Sequence, residues 1–96
     1  MQGLKDPYKL VFTESYTRRA IRFIRKHQEV RRQYEKTLQL LELNPFHPSL
    51  RLHKLKGRLS DLHSASINLS YRITIEFLIE GATIIPVAVG PHDDVY

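Results

Sequence analysis

YRITIEFLIE, residues 71–80, alternates almost without a break. Tyr71, Ile73, Ile75, Phe77 and Ile79 share one parity, and Arg72, Thr74, Glu76 and Glu80 share the other. A strand turns successive side chains to opposite faces, so this is a strand with one apolar and one largely polar side. Glu80-Gly81 follows as a turn. ATIIPVAV (82–89) is then a second strand, apolar on both faces, with Pro86 in tension because proline cannot donate to a ladder. Before the alternating stretch, LHSASINL (62–69) reads as a third strand. LRLHKLKG (50–57) reads as a short extended segment ending in a turn at Gly57.

The first half has a different period. Tyr16, Ala20, Phe23, Ile24 and His27 fall on one face of a helix over 15–27. Arg18, Arg19, Arg22, Arg25 and Lys26 lie largely off that face. Val30, Tyr34, Thr37, Leu38 and Leu41 form the stripe of a second helix over 29–43. Neither is interrupted by Pro or Gly, so the pair is a helical hairpin turning near His27–Gln28. Thr13 or Ser15 supplies the N-cap oxygen. Asn44-Pro45-Phe46-His47-Pro48 ends the second helix. YKLVFT (8–13) reads as a short strand ahead of the first.

Strand, helical hairpin and a meander of about three strands make an α+β domain over residues 1–96. Two helices cover one face of a small, mostly antiparallel sheet, and the other face is left as a binding surface. Phe23 and Ile75 are expected in the core.

With 96 residues, the chain suits one compact core. It has no cysteine, which excludes disulfides, thiolate metal sites and a Cys nucleophile. No apolar h-region and no bilayer-length run is present, so a cytoplasmic protein without a membrane partner is expected. Fifteen Lys and Arg against ten acids give a net charge of +5, the balance that suits a nucleic-acid or acidic-protein partner.

Five histidines invite a metal reading, but no HExxH-like spacing supports one, and no cofactor is expected. Lys54, Lys56 and Arg58, beside His53, share one side of an extended segment. They suit a phosphate chain, or simply a charged edge strand. Arg72 on the polar side of its strand can hold a phosphate bidentately or bridge to Glu76 or Glu80.

The run HPSLRLHKLKGRLSDLHSASINLSYRITIEF (47–77), followed by VGPHDDVY (89–96), resembles the RelE/ParE superfamily of type II toxin–antitoxin toxins. It is most similar to the mRNA interferases of the RelE, YoeB and YafQ kind. An "LxKLKG" turn, a "YRI" strand and a terminal "VGxHxxVY" carry the likeness, over about half the chain.

The resemblance implies a ribosome-dependent ribonuclease that needs no metal. In it a 2′-hydroxyl attacks the adjacent phosphorus and leaves a 2′,3′-cyclic phosphate. It implies that Arg72 contacts the scissile phosphate, His92 acts as acid or base and Tyr96 orients the substrate. His63 matches a strand histidine of the YafQ type. Lys54 and Lys56 sit where RelE-type toxins place lysines, so with the neighbouring Arg58 they are the expected RNA contacts, and His47 matches a loop histidine more loosely. It also implies a hetero-oligomer with an antitoxin, whose acidic segment wraps the domain.

Two departures stand out. No acid follows His63, where Ser64, Ala65, Ser66 and Ile67 stand, and the last strand has no arginine, only Ala88, Val89 and Gly90. The resemblance therefore leaves two alternatives, a ParE-type gyrase inhibitor and a degenerate toxin that only binds an antitoxin.

Overall fold

A computed structural model of the chain describes residues 7–57, 61–78 and 81–91. The elements are β1 (Lys9–Leu10), α1 (Glu14–Lys26), α2 (Arg31–Leu43), β2 (His53–Lys54), β3 (Leu62–Ser66), β4 (Tyr71–Leu78) and β5 (Thr83–Pro91). The sheet order is β1-β5-β4-β3-β2. Only β1 is parallel to its neighbour; β2 to β5 are paired antiparallel. The α+β class and the hairpin read from the sequence are those observed.

The edges of these elements follow local chemistry. Thr13 caps α1: its hydroxyl oxygen accepts from the Tyr16 N–H at 3.1 Å. That early start shortens β1 to two residues, against the expected 8–13, because the chain must leave the sheet edge to reach Thr13. A 3-10 turn, Gln28–Val30, separates the two helices. β3 stops at Ser66, short of the expected 69. There the Asn68 carboxamide oxygen accepts from the N–H groups of Ser70 (2.8 Å) and Tyr71 (2.9 Å), closing the chain into a turn. β5 runs to Pro91, beyond the expected 89.

Pro86 sits comfortably in β5. Thr74 pairs with Ala88 and Ile75 with Pro86, so Val87 is an extra residue at a bulge. The β1 partners end at Ile84, so Pro86 lies beyond the two-sided part of the ladder.

The helices cover one face. Tyr16, Ala20, Tyr34, Leu41 and Leu50 pack with Ala65, Ile73, Ile75 and Ile84 into one cluster. Phe23 and Ile75 are both buried, as expected. Between the helices, the Tyr16 and Tyr34 hydroxyls share a hydrogen bond of 2.7 Å. Burial, reinforced by this partner, raises the Tyr16 phenol far above its ordinary range.

The second face is not the wholly open surface expected. Ser64 and Thr74 lie there, and both are as inaccessible as the isoleucines behind them.

Candidate functional site

The sheet register decides which residues can meet. Across β3 and β4, Ser66 faces Arg72, Ser64 faces Thr74, and Ala65 faces Ile73. Across β4 and β5, Arg72 faces Gly90 and Thr74 faces Ala88. Directly opposed residues share a face. Arg72 therefore projects away from the helices, over a floor of Ser64, Ser66, Thr74, Ala88 and Gly90. Every member of that floor is small. The half-buried Arg72 donates through Nη1 to Ser64 Oγ at 3.3 Å, which draws the guanidinium along the floor.

β2 adds a residue that the sequence reading left out of the site. His53 faces Ser64, the partner of Arg72, and so sits on the same side of the sheet. Its Nδ1 lies 3.1 Å from the Arg51 carbonyl oxygen. A carbonyl only accepts, so Nδ1 carries the proton and Nε2 keeps a lone pair when the ring is neutral. Arg51 adopts a left-handed conformation, φ 47°, to end the turn before β2. The signal for His53 was in the sequence: it stands at the head of "HKLKG", ahead of the lysines already singled out.

His53, Lys54, Leu55 and Lys56 line a cleft of about 400 Å³. Leu55 is buried, while Lys54 and Lys56 are exposed. The paired strand is only two residues long, and Gly57 turns the chain at φ 71°. Lys54, Lys56 and Arg58 were expected to share a side; Arg58 lies outside the described residues.

His63 occupies the other face. It pairs with Ile75 and Lys54, and its ring meets Phe77 edge-on at 5.5 Å. Burial, then the nearby Lys54 and His53 charges, hold its imidazole below the ordinary value. Its Nδ1 is buried without a hydrogen bond among the described residues. The register thus separates His63 from Arg72 by the thickness of the sheet.

His47 is engaged in its own loop. Its Nδ1 accepts the Ser49 N–H at 3.1 Å and lies 2.8 Å from Ser49 Oγ, capping the 3-10 turn Pro48–Leu50. Arg58, His92 and Tyr96 lie outside the described residues. Among the described residues no cluster of His, Asp or Glu could hold a metal ion, and no helix is long and apolar enough to cross a membrane.

A cation on a small-residue floor and a histidine with a set tautomer share one face and can together bind a phosphate and move a proton. Lys54 opposes His63, so the register sets it on the other side of the edge strand, and Lys56 follows beyond the paired residues.

No family model and no curated protein matches the chain by sequence. Solved structures do match. YafQ from Escherichia coli strain BL21(DE3) superposes with a TM-score of 0.74 at 10% identity, over 92% of this chain and 97% of its own. The YoeB/ParE toxin from Agrobacterium tumefaciens gives 0.70 at 19% identity, over 88% and 98%. The E. coli DinJ-YafQ toxin-antitoxin complex gives 0.73 at 12% identity, over 94% and 98%. Helical hairpin, five-stranded mixed sheet and nearly full mutual coverage lead to one statement: this chain has the RelE-like toxin fold.

Proposed function

We propose that this chain is the toxin of a type II toxin–antitoxin pair, and that it cuts mRNA on the ribosome without a metal. The observation that carries the reading is the shared face of Arg72 and His53, joined through Ser64. A phosphate brought to the half-buried Arg72 meets its guanidinium. His53 Nε2 takes the proton of the neighbouring 2′-hydroxyl. The 2′-oxygen then bonds to phosphorus, the bond from phosphorus to the 5′-oxygen breaks, and a 2′,3′-cyclic phosphate remains. The 5′-oxygen needs a proton in return, and Lys56 and His92 are the candidates for it, since Lys54 is set on the His63 side by the register. Arg72 and Lys56 offset the negative charge that builds on the phosphate, and Lys54 contacts the RNA further along the edge strand. Arg58 and Tyr96 complete the RNA contacts in this reading. His63, neutral and on the helix side, positions β3 and its Ser64 rather than touching RNA. His47 shapes the loop that enters β2.

The chain's partners in this reading are mRNA, the ribosome and an antitoxin. DinJ-YafQ is a toxin–antitoxin complex of the same fold, and the +5 charge suits an acidic antitoxin.

Primer extension on translating ribosomes tests the proposal. Wild type is expected to cut within the A-site codon. Arg72→Ala and His53→Ala are each expected to lower the rate by about 10²–10³-fold, the loss typical of a missing charge stabiliser or proton-transfer group. A folded wild type that makes no cuts, or both variants cutting at the wild-type rate, would overturn it.

A further inference from the structure

The head of β4 is tied to the helix layer through a histidine. His27 closes α1: its backbone N–H donates to the Phe23 and Ile24 carbonyls, at 3.0 and 3.1 Å. Its ring lies beside two aromatic neighbours, with centroids 4.8 Å from Phe23 and 4.9 Å from Tyr71. Phe23 and Tyr71 meet edge-on at 5.2 Å, so each of the three rings touches the other two. His27 Nδ1 lies 3.2 Å from the Tyr71 hydroxyl oxygen, across 44 residues of chain. Glu29 Oε2 is 3.8 Å from the same nitrogen, beyond hydrogen-bond reach, so the phenol is its partner. A phenol both donates and accepts, so either neutral tautomer of the ring keeps this contact.

Tyr71 is the residue from which β4 starts. Toward β3 its backbone is pinned: its N–H donates to Asn68 Oδ1 at 2.9 Å, and its carbonyl accepts from Ile67 at 2.9 Å. Toward β5 it opposes Pro91, which has no N–H to give the ladder. The ring supplies the hold on this side, by reaching the helix layer at Phe23 and His27. The next residue is Arg72, which points to the opposite face by the parity of the strand. A shift at the strand head therefore moves the guanidinium against Ser64 on β3 and His53 on β2.

We propose that His27 and Tyr71 are positioning residues for Arg72: the hydrogen bond between them sets the head of β4 and, through it, the place of the guanidinium beside Ser64. The chemistry given to Arg72 rests on the ribonuclease reading above; the mechanical link from helix layer to guanidinium does not.

Three variants of the whole chain test the link, each checked for folding by circular dichroism. Tyr71→Phe removes the hydroxyl and keeps the ring. His27→Phe keeps a ring and removes the nitrogen. His27→Gln returns a hydrogen-bonding group to that position. The readouts are the nitrogen–proton resonance of Arg72 Nε and single-turnover mRNA cutting on ribosomes. Tyr71→Phe and His27→Phe are expected to move the Arg72 resonance. Both should lower the cutting rate about tenfold at saturating ribosomes and leave half-saturation unchanged, the signature of a small misplacement. His27→Gln is expected to retain both properties. The Arg31 Nε resonance, from a guanidinium held by Glu35 at 3.1 Å on α2, should stay fixed in all three. An Arg72 resonance indifferent to Tyr71→Phe and His27→Phe would overturn the proposal, even if the unfolding midpoint fell, because the pair would then only hold the fold together. Equal losses in His27→Gln and His27→Phe would overturn it too. A wild type that cuts no RNA, but whose Arg72 resonance follows the hydroxyl, would keep the link and discard only the ribonuclease reading.

Discussion

The two faces of β4 are built for opposite purposes from one run of residues. Toward the helices stand Ile73 and Ile75, each 0% exposed, with Ala65 and Ile84 beside them. Away from the helices stand Arg72 and Thr74, flanked by Ser64, Ser66, Ala88 and Gly90. The apolar face is packed with large side chains; the polar face is built of small ones around one guanidinium, and its Ser64 and Thr74 are inaccessible too. The period of two makes this possible, because a substitution on one face leaves the packing of the other almost unchanged. Stability and chemistry should therefore separate by parity along a single strand.

That separation can be broken most severely from the apolar side. Ile75→Ala is expected to lose about 2–5 kcal/mol of folding stability, since it removes a side chain enclosed on every side. Denaturant unfolding would show it as a lowered midpoint with an unchanged slope. Arg72→Ala tests the polar side. It should stay within about 1 kcal/mol of wild type in the same assay, while losing the cleavage described above. An unstable Arg72→Ala protein would mean that the guanidinium is part of the scaffold.

A smaller effect tests the helix layer. Tyr16→Phe strands the Tyr34 hydroxyl in a buried position and should destabilise by about 1–3 kcal/mol. The double change Tyr16→Phe/Tyr34→Phe leaves no orphan and should destabilise less than the sum of its parts. A strictly additive cycle would mean that the hydroxyl pair carries no coupling.

The smallest effect belongs to His63. Its folded imidazole is held below the ordinary value, so the unfolded chain takes up a proton more readily. Acid thus favours unfolding: stability falls as the pH drops through about 6.5, the unfolded value, and levels off below the folded one. His63→Gln should flatten that part of the stability profile. An unchanged slope would show that the group senses little burial.

Much of this contrast was legible in the sequence. The alternation over 71–78 placed Arg72 opposite the isoleucines, and of the helix stripes Tyr16, Ala20, Phe23, Val30, Tyr34, Thr37 and Leu41 are buried, while Ile24, His27 and Leu38 are only partly so. The histidines were harder, because pairing register, rather than residue type, assigns them a face. His63 shares parity with Ala65 and Ile67, both of which pack with the core, and that parity already pointed away from Arg72. His53 gains its place only from the pairing of β2 with β3, a tertiary contact between segments joined by a turn. The position of β1 beside β5 was equally invisible. It depends on the hairpin delivering the chain across the sheet, a connection no local pattern encodes. The Asn68 turn was written in the sequence but was hidden inside an apparently continuous strand.

The tyrosine pair also bears on how this molecule can be watched. There is no tryptophan, and two of the five tyrosines share the buried hydroxyl contact. Burial holds the Tyr16 phenol far above its ordinary range, which couples its ionisation to the parting of the helices. In strong alkali the ultraviolet absorbance of phenolate should thus rise in two stages, the second marking the opening of the hairpin. Because the unfolded phenol ionises first, alkali itself pulls the fold apart. The chain carries its own optical gauge of helix separation, with no label attached.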